Sequence, residues 1–167
     1  MTHPLVNQLK FARSEWQRGL DGVSDADGSR RFEPINSLGW IVGHMAWHEN
    51  LCWNVRGQAI NPSPQLHDVV GYGKPASTPA LSEMLAAWRA VTAAAEPYLE
   101  ALDTTALLTH WTRHGKTHPE SIGTVIQRVI YHYLFHTGES QAIRQLLNHP
   151  GRPEYIGDFG AEYAYKP

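Results

Sequence analysis

Two pairs of histidines stand one helical turn apart in this chain: His44 with His48, and His132 with His136. An i,i+4 spacing aims two side chains of one helix at a common point. Each pair lies within an apolar stripe rather than opposite it, and burying an unpartnered imidazole costs free energy. A shared divalent metal gives such rings a purpose, because neutral imidazole is the commonest metal ligand. Three histidines with an open position describe a catalytic metal site. Periodicity alone does not choose which of the four rings ligate. All-nitrogen ligation suits zinc, nickel, copper or iron(II). There is no HExxH, since Tyr133 follows His132, so the zinc-protease motif is absent. No nucleophile elbow or glycine-rich phosphate loop occurs.

Other residues near the stripes have less to recommend them. Glu49 directly follows His48, points about 100° away from it, and reads as a solvated or bundle-end charge. Glu139, three residues after His136, shares its side of the helix and is a candidate acceptor that orients a ligand ring. His110, His114 and His118 read as members of a polar loop. Trp40, Trp47, Trp53 and Tyr131 read as packing or interface residues. The single cysteine, Cys52, excludes an intramolecular disulfide and a thiolate zinc cluster. It sits in an apolar run and reads as a small core residue.

Four helices must carry these residues. Leu5, Leu9, Ala12, Trp16 and Leu20 line one face of a first helix over 5–20. A second helix, capped at Asn36 or Ser37, carries Leu38, Ile41, Val42, Met45, Cys52 and Val55 to a stop at Gly57. The stretch from Gln58 to Ser77 has no periodicity and reads as a long loop over one end of the fold. A third helix is expected from Thr78 as cap and Pro79 at the first helical position. Its stripe runs from Leu81 to Leu102, with a kink near Ala93 or an early stop imposed by Pro97. Residues 103–120 read as a loop. A fourth helix starts at Ser121, and its stripe of Ile122, Val125, Ile126, Val129, Tyr133, Ile143 and Leu147 contains His132 and His136. Residues 150–167 read as an irregular tail.

Four amphipathic helices in 167 residues predict an all-α, single-domain four-helix bundle with long inter-helix loops. Bundle cores build metal sites from facing helices. With 14 basic and 16 acidic residues, the chain has no excess charge to suit a nucleic acid or an anionic membrane. Charges run through the first twenty residues, and no apolar run reaches the ~18 residues of a membrane span. A cytoplasmic location is therefore expected. Six tryptophans, together with Trp16 and Phe11 on neighbouring faces of the first helix, suggest apolar surface left for a homodimer.

The segments NSLGWIVGHMAWHE (36–49) and YHYLFHTGESQAIR (131–144) resemble the two histidine motifs of the DinB/YfiT-like superfamily. The resemblance covers about residues 1–150. It implies a four-helix bundle of variant up-and-down topology, often dimeric. It implies a divalent metal held by one histidine of the second helix and two of the fourth. By motif position these are His44, His132 and His136. His48 falls where some members carry a further histidine, as a supporting group or fourth ligand. His48 and Glu139 are the candidates for a catalytic role. Zinc or nickel leads among the metals, with iron or manganese also compatible. Characterised relatives include thiol S-transferases and thiol-dependent isomerases. The resemblance therefore implies a metal-dependent transferase in which a small-molecule thiol attacks an electrophilic substrate. The alternatives are a hydrolase using metal-bound water and a non-catalytic metal-binding stress-response protein.

Overall fold

Serine, aspartate and histidine side chains open most of the helices. Ser37 accepts from the Trp40 amide (3.2 Å) and starts α3, Leu38–Glu49. Ser121 does the same for the Thr124 amide (3.2 Å) and starts α7, Ile122–Leu146. His3 accepts from the Leu5 amide (3.1 Å) ahead of α1, Pro4–Arg18. Such caps satisfy backbone donors that have no partner inside the helix. The computed structural model describes residues 2–154, so most of the expected irregular tail lies outside the described residues.

The chain is mostly helical. Between the long helices run three short ones: α2 (Asp25–Gly28), α4 (Leu66–Val70) and α6 (Thr104–Leu107). The fourth long helix is α5, Leu81–Glu100. α1 packs on α7, α3 packs on α5, and α3 also meets α7. That last contact brings the two histidine-bearing helices together. The core between them holds Leu9, Trp16, Ile41, Met45, Val91, Ile126, Val129 and Tyr133.

Several expectations need correction. The loop 58–77 contains α4, whose Leu66 and Val70 are buried against α3. The loop 103–120 contains α6 and a two-stranded hairpin, β1 (Thr112–Arg113) against β2 (Lys116–Thr117). Cross-strand pairing there is local and short, so no alternation announces it. α5 begins at Leu81 and not at Pro79. A Cβ on Gly39 would lie 2.1 Å from the Pro79 carbonyl oxygen, so the extended segment before α5 passes tight against α3 and cannot coil there. Asp25 of α2 caps α5 from outside, accepting from the Ser82 amide (2.7 Å) and hydroxyl (2.6 Å). Pro97 does not stop α5, which runs on to Glu100.

After Glu49 the second helix continues as a π-helical segment, Asn50–Arg56. Its wider turn rotates Asn54 and Gln58 towards α5. Asn54 donates to the Val91 carbonyl (3.0 Å) and Gln58 to the Ala94 carbonyl (3.0 Å). The second of these lies beside Ala93, the carbonyl that Pro97 leaves without its helical donor. π-Helical insertions often accompany functional sites.

Glu49 is fully buried and not the solvated charge expected from its neighbour. Arg13 of α1 grips it through Nε (2.7 Å) and Nη2, and Trp53 and Tyr133 donate to the same carboxylate. Trp88 in turn donates to the Tyr133 hydroxyl (2.7 Å). The network ties α1, α3, α5 and α7 to one buried anion. Burial, followed by the Glu49 charge, holds the Tyr133 phenol well above its ordinary range. Trp16 belongs to the same centre, 5.5 Å from Trp88 and 5.3 Å from Tyr133 between ring centroids. It is core, and so does not provide the surplus apolar surface expected of it.

Candidate metal centre

α3 and α7 bring three imidazoles together. One ring nitrogen from each of His44, His132 and His136 lies within 4.8 Å of the other two. The triad unites one histidine of the first pair with both of the second. His44 and His136 are buried, and His132 is half-buried.

Each ring is held from behind. The Nδ1 of His44 lies 3.1 Å from the Val70 carbonyl, which fixes Nδ1–H and leaves Nε2 with its lone pair. Val70 reaches this place because α4 docks on α3 at Gly43. A Cβ on Gly43 would come within 2.6 Å of the Met84 sulfur and 3.0 Å of Val70 Cγ1. Trp40 stacks on His44, with centroids 4.7 Å apart and planes at 8°. The Nδ1 of His136 faces a Glu139 carboxylate oxygen at 2.7 Å, again leaving Nε2 free. Carboxylate and carbonyl partners of this kind are typical behind ligating histidines.

His48 stands apart from the triad. Its Nδ1 lies 2.9 Å from His132 Nδ1, so it supports His132 from the side away from the other two rings. The Nε2 atoms of His132 and His136 face each other at 2.9 Å. With Nδ1–H directed at Glu139, the neutral form of His136 offers a lone pair there. A proton on His132 Nε2 closes this contact, with His48 then donating to His132 Nδ1. A cation between the lone pairs closes it equally well, with His132 donating to His48 instead. The donor set thus fits a divalent ion with His44, His132 and His136 as its holders.

His44, His48 and His132 are also poised in the neutral state that ligation requires. Burial is the main cause in each case. It lowers the pKa of His44, takes His48 down to about 4 with help from His44, and takes His132 down to about 3 with help from His48 and His136. The centre borders a cavity of about 930 Å³. Trp47, Leu51, Tyr131 and Phe135 form its apolar wall, and His44, His48 and His132 its polar floor. Trp47 and Tyr131 therefore line the site as well as pack. His110, His114 and His118 do not join it: His110 turns to the His118 carbonyl (2.8 Å) across the hairpin.

Sequence comparison agrees with this geometry. A family model described as the DinB superfamily matches residues 8–140. The chain belongs to the DinB superfamily. The match takes in His44, His48, His132 and His136 and ends just beyond Glu139. No curated protein matches the chain. No helix among the described residues is long and apolar enough to cross a membrane.

Glu139 is the part of this DinB-superfamily centre most readily isolated by mutation. It is half-buried and hydrogen-bonds only one of the three rings. Replacement of Glu139 by glutamine should weaken zinc binding about 10–100-fold and leave the helical circular dichroism unchanged. Competition against a chromophoric chelator measures this. Affinity within twofold of the parent would make Glu139 an ordinary surface charge.

Proposed function

We propose that this protein is a metal-dependent enzyme in which a low-molecular-weight thiol attacks an electrophilic substrate, on a single-domain four-helix bundle of variant up-and-down topology. The observation that carries the reading is the convergence of three back-bonded imidazoles beside a cavity. His44, His132 and His136 would hold the ion. A divalent ion bound there would supply a Lewis acid that keeps a thiol deprotonated at neutral pH.

The remaining work belongs to the chain. Val70, Glu139 and His48 orient the three rings, so little reorganisation is needed when the site fills. His48 and Glu139 act in this reading as positioning residues. Trp47 and Leu51, both half-buried, displace water from one side of the reacting atoms, which strengthens the electrostatic interactions there. The sulfur–carbon bond forms as the leaving group departs with its electron pair, and the thiol proton passes to solvent. Cys52 takes no part. It is buried, and burial pushes its thiol up to about 12. The nucleophile therefore comes from outside the chain.

The test is a cobalt-loaded protein titrated with glutathione, bacillithiol and mycothiol. A sulfur-to-metal charge-transfer band should appear with at least one of them, followed by turnover of an electrophile. If none gives a band or turnover, the thiol reading fails. Hydrolysis by water or a non-catalytic metal-binding role would then take its place.

A homodimer is part of the same proposal. Tyr131, Leu134 and Phe135 of α7 are exposed and support it. Light scattering at micromolar concentration should return twice the chain mass. A monomer mass would contradict the dimer and leave the metal centre untouched.

A further inference from the structure

Two cavities meet at Arg56. The first is the one beside the histidines. The second, about 520 Å³, lies under the β1–β2 hairpin. Leu51 and Arg56 belong to the walls of both. The π-helical segment ends at Arg56, which places this side chain at the junction.

The charge at that junction is one-sided. Arg56, Arg113 and Lys116 line the second cavity, and no aspartate or glutamate does. His114 and His118 also line it and add charge only when protonated. In the first cavity the one lining carboxylate, Glu120, is taken by Arg128 through a two-point contact that includes Nε to Oε2 at 2.9 Å. Arg56 feels Glu120 at longer range and faces the neutral Cys52 thiol. None of Arg56, Arg113 and Lys116 forms an ion pair among the described residues. A chain of net charge −2 has thus gathered three unpaired cations around one concave surface. Such a surface concentrates anions, and a planar guanidinium matches a carboxylate in two-point contact.

We propose that the small molecule received at the histidine centre carries a carboxylate, which Arg56 holds while Arg113 and Lys116 supply the surrounding field. The inference rests on the reading that the histidine centre is the reacting site. The carboxylate end then sits under the hairpin, and the reactive end extends past Leu51 into the larger cavity. Specificity for acidic co-substrates follows from the three cations and not from the metal.

The test uses the zinc-loaded, full-length protein, isotope-labelled for NMR, and S-methylglutathione as the probe. This probe has two carboxylates and no S–H, so the result does not depend on thiol activation. Its diethyl ester is the control without carboxylates, and it keeps the α-amino group and the thioether. The acid should bind saturably, move the resonances of Arg56, Arg113 and Lys116, and bind at least about tenfold more tightly than the ester. Arg56→Gln should bring the acid down to the level of the ester without changing zinc content. Should Arg56→Gln fail to fold, the doubly substituted Arg113→Gln/Lys116→Gln protein, altered only on the exposed hairpin, should lose affinity for the acid alone. Equal binding of acid and ester overturns the proposal. So does no saturation below about 10 mM, or a preference for the acid that survives the substitutions. The cobalt titration reads the thiol chemistry separately, so failure of one is distinguishable from failure of the other.

Discussion

Glu49→Ala should unfold this protein at a temperature about 10 °C lower than the parent, a loss of about 3–5 kcal/mol. The substitution removes a fully buried carboxylate and leaves Arg13 charged and nearly inaccessible. It also leaves Trp53 and Tyr133 without the acceptor they share. Arg13 then keeps only its longer contact to Glu96 (3.7 Å), and that weakly paired buried charge and the two orphaned donors add in the same direction. A contrasting variant isolates the cause. Replacing both partners, Arg13→Met with Glu49→Leu, removes the charge pair together and should recover much of the loss. Thermal unfolding followed by circular dichroism measures both. If the single and double variants melt alike, the cost lies in cavity formation and not in the stranded arginine.

His132→Ala should abolish zinc binding at micromolar concentration, with a fall in affinity of more than about 100-fold. Only three rings converge, so losing one leaves two ligands and a gap. His132 also connects His48 to the centre. Because His132 is half-exposed, its removal should change the melting temperature of the metal-free protein by only a few degrees. Stability and metal affinity then separate, which a purely structural histidine would not allow. His48→Ala is the companion. It removes a supporting contact rather than a ligand, so its effect on affinity should fall nearer that of Glu139→Gln.

The legible parts of this protein are those governed by local periodicity. His44 within the stripe of α3, and His132 and His136 within that of α7, announce ring placement through spacing alone. Family resemblance then selects His44 over His48, and the geometry brings the same three together, with one nitrogen of each within 4.8 Å of the others. Ser37 and Ser121 open their helices as their side chains predict. What could not be read depends on contacts distant in sequence. Glu49 looks solvated beside His48 because nothing local reveals Arg13, which comes from another helix. The Val70 carbonyl carries no side-chain signature and reaches His44 only once α4 docks at Gly43. Pro79 looks like a helix start, but packing against Gly39 overrides that preference. The π-helical turn that brings Arg56 to the junction of two cavities has no sequence period of its own. Trp16 reads as surplus surface because one helix alone does not reveal Trp88 and Tyr133, which pack on it from two others.

The central claim is that His44, His132 and His136 share one divalent ion. Anomalous diffraction at the zinc absorption edge, from crystals of the zinc-loaded protein, tests it most directly. The account predicts one peak per chain bounded by the Nε2 atoms of these three rings, each about 2.0–2.1 Å away, with Glu139 and the Val70 carbonyl still on the opposite nitrogens. No peak between the rings, with His132 and His136 still hydrogen-bonded to each other, would contradict it.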